Sequence, residues 1–347
     1  MLEFEPAYLR DLGRRIFEAA GAPTDIAEHV ADHLVASNLA GHDSHGVIRI
    51  SWYVEEVRDG WIRPAARPVI VDDRPAAALV SGEWGFGHPA ATVAVDAACE
   101  RARRNGLGAA GLVRATHIGR LGTYMERAAE RGLVGMMWLG GLSTGRSAVP
   151  YGASRGLYGT NPMSFAFPAG AGGTLLLDFA TTAIAAGKVS VARDKGVPLP
   201  EGAIIDRDGR PSTDPDAFLD GGALLPFGGH KGYALAFFAE VLGQALTGGD
   251  LAGGEGREEG IFARSGALFL ALDPGLFRPA AEAMATAAAF AEEIRGLAPA
   301  PGFECVMAPG DPEARSRVAR QGAIPLPEVT WRHIVAAAES LRVAVQA

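Results

Sequence analysis

Apolar residues recur along this chain with two periods in alternation, and that alternation restricts the fold to helices packed on a sheet. Residues 6–20 carry Leu9, Leu12, Ile16 and Phe17 on one helical stripe. Gly21-Ala22-Pro23 breaks that helix, and Thr24 or Asp25 is placed to cap a second one running to about Leu39. A short third helix is expected through Tyr53 and Val57. Strand-like runs follow at 69–71 and 77–80, then a glycine loop, 82–87, that opens a helix over 89–104. Further strands are read at 108–113, 133–137, 164–167 and 174–177, with a helix at 124–131. Residues 232–246 are apolar nearly all round, which predicts a buried helix. The Gly- and Glu-rich stretch 248–260 reads as an exposed, mobile loop. A strand at 266–272, an Ala-rich helix at 280–296, a Pro-rich connection at 299–301 and two helices starting at Pro312 and Thr330 complete the chain. The class is α/β or mixed α+β, and 347 residues suffice for two domains.

Composition narrows the partners. A net charge of −8 argues against nucleic acid and against an anionic membrane surface. The longest apolar run, 133–142, is too short to span a bilayer, and the first residues lack the pattern of a signal peptide. Two cysteines, Cys99 and Cys305, cannot build a disulfide framework and lack metal-ligand spacing, so a reducing, cytoplasmic setting and no metal are expected. All but three of the 32 basic residues are arginine. The exceptions, Lys188, Lys195 and Lys231, are candidates for positions where an ammonium is required.

The densest chemistry lies in Gly41-His42-Asp43-Ser44-His45-Gly46-Val47-Ile48-Arg49. Two imidazoles, a carboxylate, a hydroxyl and a guanidinium suit a site that moves a proton and grips an anion. A polar turn with a capping serine would account for the same residues, and the rest of the chain decides between them. Gly82-Glu83-Trp84-Gly85-Phe86-Gly87 and Gly119-Arg120-Leu121-Gly122 are not clean dinucleotide fingerprints. His29 and His33 lack the glutamate that a zinc-protease helix needs, and read as surface or satisfied histidines. His88 and His333 have no accompanying motif, and Asp43, Ser44 and His45 are consecutive, so they cannot converge as a hydrolase triad. His117 falls at a strand's C-terminal end, where α/β folds favour ligands. Gly159-Thr160-Asn161-Pro162 is a compact polar turn. Asp178-Phe179-Ala180-Thr181-Thr182 leaves an apolar strand, and Gly228-Gly229-His230-Lys231-Gly232 enters the apolar helix with its lysine where a phosphate or ribose could be held.

In this order and spacing, with Pro309-Gly310-Asp311-Pro312-Glu313 near the end, the clusters make the chain resemble the type-2 malate/L-lactate dehydrogenase family, the sulfolactate-dehydrogenase-like oxidoreductases. The resemblance implies a non-Rossmann fold. A central dinucleotide-binding domain, 119–284, would be inserted into a substrate and dimerisation domain built from 1–118 and 285–347. It also implies a homodimer, a small carboxylic acid substrate, and NAD or NADP as cofactor. Ser44, His45, Arg49 and His117 would be the catalytic and substrate-binding groups, with either His45 or His117 exchanging the proton. Thr144, Thr160, Asp178, Phe179, Ala180, His230, Lys231, Pro309, Gly310 and Asp311 would hold the cofactor. The stretch 140–146 departs from the family's usual Asn-Ser-Pro-like pattern. Lys188 stands about where the cyclic-imine reductase branch places an acidic residue, so hydride transfer at C2 of a 2-hydroxy or 2-oxo acid is favoured over imino acid reduction. A non-catalytic ligand-binding protein on the same fold is the third reading, and the intact Ser44-His45 pair argues against it.

Overall fold

The computed structural model describes residues 1–141, 146–249 and 265–345. Thr144 and most of the stretch 248–260 lie outside them. Strand β1 (Leu2–Phe4) leads into α1 (Pro6–Ala19), which starts on a proline in its first turn, where the missing N–H costs nothing. Leu9, Leu12, Ile16 and Phe17 are buried as the stripe predicts. In α2 (Thr24–Leu39) neither Thr24 nor Asp25 caps the helix. Both lie in its first turn, and the Asp25 carboxylate accepts two hydrogen bonds from Arg67, at 2.7 and 2.9 Å. After a 3-10 turn, α3 (Arg49–Arg58) completes a three-helix layer.

The sheet begins with β2 (Val69–Asp73) and β3 (Ala77–Ser81). Next come α4 (Gly87–Asn105), β4 (Leu107–Val113), α5 (Gly122–Glu130), β5 (Val134–Gly141), β6 (Met163–Pro168) and β7 (Thr174–Phe179). A lobe of α6 (Ala186–Lys195), β8 (Ile204–Ile205), β9 (Pro211–Ser212), α7 (Pro215–Leu219) and β10 (Ala223–Leu224) precedes α8 (His230–Glu240), which runs on into a π-helical turn, Val241–Ala245. Then follow β11 (Ser265–Leu272), α9 (Ala280–Arg295), α10 (Asp311–Arg320), β12 (Ile324–Leu326) and α11 (Glu328–Ser340).

Seven strands form one sheet in the order β2-β3-β4-β11-β5-β6-β7. Among them only β3 and β4 run parallel, unlike the parallel sheet of a Rossmann domain. One face is covered by α4 and α5, and the alanines of α4, such as Ala94 and Ala98, are fully buried. Small side chains let the helix lie almost on the strands: a Cβ at Gly108 would collide with the Ala98 carbonyl. A second core joins both chain ends, with Leu12, Phe17 and Ile50 against Ile324, Leu326 and Ile334, and β1 pairing antiparallel with β12. The seven-stranded sheet draws strands from both sides of residue 118.

The helix predicted to be buried is only half so. Ala236 and Ala239 are interior, but Leu235, Phe237, Phe238 and, beyond the helix, Leu246 are 38%, 50%, 58% and 64% exposed. The reason is packing order. One side of α8 and its π turn lies on the ends of β5 and β11, Gly243 against Gly140 and Gly266, and nothing in the described chain covers the other.

Candidate active site

The 41–49 block leaves α2 through Gly41 and closes into a 3-10 turn over Asp43–His45. Asn38, in the last turn of α2, is its scaffold. The Oδ1 atom accepts from the Val47 N–H at 2.8 Å, and Nδ2 donates to Asp43 Oδ1 at 2.7 Å. Gly46 passes so close to this amide that a Cβ there would collide with it. From α10, Arg320 donates to both Asp43 oxygens, at 2.6 and 3.1 Å, so a helix from the far end of the chain clamps the turn. Asp43 is thereby committed to structure.

Ser44 and His45 remain partly exposed, with Ser44 Oγ 3.1 Å from His45 Nδ1. Arg49 donates from Nε to the Ser44 carbonyl at 2.6 Å and lies 5.0 Å from the centre of the Trp52 ring. Among the described residues no hydrogen bond or ion pair takes its two Nη groups. The last residues beyond β4 bring in His117, whose ring stacks on His45 at 5.7 Å and 16°. Behind it the Tyr53 hydroxyl lies 2.6 Å from His117 Nδ1 and 3.4 Å from His88 Nε2. His33 continues the cluster, edge-on to His88 at 4.6 Å and accepting the Arg120 N–H at 3.0 Å. Burial is the main cause holding His45 and His88 at about 3, and the Arg49 charge adds to it at His45. Burial likewise keeps His33 and His117 well below the usual imidazole range and raises the Tyr53 hydroxyl above 10. At pH 7 all four rings are neutral.

Loop 82–87 turns out to be a packing device. A Cβ at Gly87 would strike the Thr116 carbonyl, and Thr116 Oγ1 both accepts from the Gly87 N–H at 3.1 Å and donates to the Gly85 carbonyl at 2.8 Å. It fixes the approach to His117.

The other expected clusters gather around β7. Asp178 Oδ2 accepts the Gly122 N–H at 2.8 Å, at the start of α5, and lies 3.5 Å from Arg120 Nε. Burial raises this carboxyl against the pull of Arg120. Phe179 packs edge-on against Phe227 at 5.4 Å, and Thr181 bonds both the Thr160 carbonyl and the Phe227 N–H. Ala180 therefore lies beside the Thr160 turn and the loop that leads to His230 and Lys231, both exposed at the start of α8. On the same strand the Leu176 N–H donates to the Pro309 carbonyl at 3.2 Å, and Gly310 adopts φ 97° against Thr174. The Asp311 carboxylate is taken by Arg295, at 2.6 and 2.9 Å. Gly187, in the first turn of α6, meets Ser44, where a Cβ would lie 3.3 Å from the serine's own. A separate cavity of about 630 Å³ opens between α2, α5 and α10, with His33, Glu126 and Arg317 in its wall but none of Ser44, His45 or Arg49.

Tyr53, His88 and Asn38 were not singled out from sequence. Tyr53 could have been, since it follows Arg49 by four residues on one helix and so shares its face. His88 offered no such signal. Among the described residues no group of three or more His, Cys, Asp or Glu is arranged to hold a metal ion, and no helix is long and apolar enough to cross a membrane.

A sequence model of malate/L-lactate dehydrogenases matches residues 4–335. The chain is 36% identical to the L-lactate dehydrogenase of Cupriavidus necator over 97% of both chains. It is 39% identical, over 70% of both, to the Delta(1)-pyrroline-2-carboxylate/Delta(1)-piperideine-2-carboxylate reductase of Pseudomonas syringae pv. tomato. Among solved structures, sulfolactate dehydrogenase from Methanocaldococcus jannaschii superposes with a TM-score of 0.88 at 31% identity, covering 99% of this chain and 98% of that one.

Proposed function

The chain belongs to the malate/L-lactate dehydrogenase family, and on that premise we propose that it transfers a hydride between NAD or NADP and C2 of a small 2-hydroxy or 2-oxo carboxylic acid. The observation that carries this reading is the contact of Ser44 Oγ with His45 Nδ1 beside the open fork of Arg49. Oxidation at C2 needs a group to take the hydroxyl proton and a cation to hold the carboxylate. His45 is neutral at pH 7. With Nδ1–H given to Ser44, its lone pair is on Nε2, and that nitrogen takes the proton as the C2–O bond becomes a carbonyl. Arg49 grips the carboxylate through its Nη pair, and the Trp52 ring beneath steadies the guanidinium. His117, stacked on His45, completes the catalytic set.

When bound, the nicotinamide accepts or supplies the hydride. The donor set suits such a group. Gly228 and Gly229, both at positive φ, turn the chain into α8, whose N-terminal dipole and exposed Lys231 favour an anion. Thr160, Asp178, Phe179, Ala180 and His230 would line the same site. Pro309, Gly310 and Asp311 would contribute through their main chain, because Arg295 already holds the Asp311 carboxylate. We place the enzyme in the cytoplasm and read it as a homodimer, the latter supported by the apolar side of α8 that the described residues leave uncovered. The core shared by both chain ends supports a substrate domain built from them.

The test is a panel of malate, lactate, sulfolactate and their 2-oxo forms, with pyrroline- and piperideine-2-carboxylate alongside, each with both nicotinamides. Turnover of a hydroxy or oxo acid is expected, and His45→Ala should lose about 10² to 10⁴ in kcat. Turnover of the cyclic imines alone would replace this reading with imino acid reduction, against which the cation Lys188 beside Gly187 stands. No turnover of any member would overturn both.

A further inference from the structure

Helix α10 is docked by polar side chains and has no buried residue of its own. Its one branched apolar residue, Val318, is 69% exposed. What holds the helix is the row 313, 316 and 320, which shares one face. Glu313 Oε1 lies 3.1 Å from His42 Nε2, and Ser316 packs where a Cβ at Gly41 would lie 3.0 Å from its Oγ. Arg320 donates to the Asn38 carbonyl at 2.7 Å and to both Asp43 oxygens. Arg317 adds a bond to Glu126 of α5, at 2.6 Å. This face therefore grips the residues immediately before Ser44 and His45. The other end of the helix grows out of the Pro309-Gly310-Asp311 turn, which the Leu176 N–H ties to β7. One rigid element begins at the turn assigned to the cofactor and ends on the turn that carries Ser44 and His45.

We propose that Glu313 and Arg320 are positioning residues that couple the two turns, so that a cofactor held at 309–311 and the ordered Ser44-His45 turn stabilise each other through α10. The inference rests on the proposed function, in which Pro309, Gly310 and Asp311 contact the cofactor. An element docked without buried apolar area opens at low free-energy cost, so α10 has a docked and a loosened state. A cofactor that needs the 309–311 main chain in place binds the docked state better and shifts the population towards it. In that state Glu313 and Arg320 hold His42 and Asp43, and the adjoining Ser44 and His45 are set for the acid. Arg320 stands about 14 Å along the axis from Asp311, at about 1.5 Å per residue, and both its Nη groups are taken. It acts through Asp43, not on the cofactor. Linkage requires the same factor in both directions.

Hydrogen–deuterium exchange of the whole protein, with and without ADP-ribose, reads the coupling without turnover. ADP-ribose has the phosphates and riboses of the cofactor but no nicotinamide ring to lie against His45. In the parent protein it should slow exchange at 310–320 and also at 42–47, where the Val47 N–H bonds Asn38. In Arg320→Gln it should still slow 310–320 but no longer 42–47, and its Kd should rise about fivefold, the lower end of coupling between sites. Glu313→Gln, which leaves the Arg320 bonds intact, should move both readings the same way by a smaller factor, and it carries the test if Arg320→Gln does not fold. A merely structural clamp would loosen 42–47 in Arg320→Gln equally with and without ADP-ribose and leave the Kd at its parent value. That outcome, or a parent-like Kd in Glu313→Gln where it alone folds, overturns the proposal. Binding of ADP-ribose to the parent without slower exchange at 42–47 counts against this inference alone. If ADP-ribose does not bind the parent at all, the cofactor reading falls, and this inference with it.

Discussion

Single residues here differ in whether their polar groups are spent or still available. Asp43 and Asp311 are fully engaged by Arg320 and Arg295. Lys231 is exposed at the start of an eleven-residue helix, in a chain where nearly every other basic residue has become arginine. A point charge at that end, with the helix dipole behind it, suits a phosphate or a ribose. Lys231→Ala should therefore raise the KM for the nicotinamide about tenfold or more, the worth of a charge-assisted hydrogen bond, and leave the KM for the acid nearly unchanged. Lys231→Arg should rescue poorly, because a planar fork does not fit a point-charge site. Initial-rate kinetics with each substrate varied in turn decide it, and equal KM values in parent and alanine variant would remove Lys231 from the cofactor site.

Elements matter through the way they meet. The Asp43–His45 turn is not held by its own hydrogen bonds alone but by α2 from one side, through Asn38, and α10 from the other, through Arg320. Gly46 is where the turn comes closest to α2. Gly46→Ala inserts a methyl against the Asn38 amide, which is itself buried and cannot withdraw without losing its bond to Val47. Overpacking of this kind costs about 1–3 kcal/mol. The variant should show that loss in urea unfolding, and a lower kcat/KM, since Ser44, His45 and Arg49 ride on the same turn. An unshifted unfolding midpoint would mean that the turn yields freely. The π turn after α8 belongs to this scale too: it sets the helix backbone against Gly140 and Gly266, and so decides which side of α8 is left uncovered.

At the scale of the whole molecule the histidines around the site couple folding to pH. His45 and His88 stay neutral down to about 3 in the folded protein, whereas the unfolded chain protonates them near 6.5. Between those values the unfolded state binds more protons, so stability rises with pH and is lost as pH falls from 6.5 towards 3. His33 and His117 act in the same direction. Paired carboxylates such as Glu126 and Asp96 are held low, and their contributions are lost only at more acidic pH. Asp178, raised by burial, opposes the trend at the acid end. Urea unfolding at pH 7, 6 and 5 should thus show a falling stability, with a slope approaching about 1.4 kcal/mol per pH unit for each of the two rings. A flat profile from pH 7 to 5 would contradict their neutrality.

Local pattern was enough for much of this protein. The stripe of α1, the helix that is α4 and the strands of the seven-stranded sheet could be read in order, because helix and strand periods are properties of short stretches. The 41–49 block announced its chemistry by composition, and the order of the later clusters carried the family. The short lobe around α6 was not read, since α6 has no apolar stripe and β8, β9 and β10 have two residues each. Only the tertiary structure decided which polar groups are spent, that His117 stacks on His45, and that Tyr53 and His88 stand behind it. It also decided which side of α8 the described residues leave uncovered. Periodicity tells which face of an element is apolar, but what covers that face, and which side chains from distant segments meet, depends on contacts between elements that no short stretch of sequence contains.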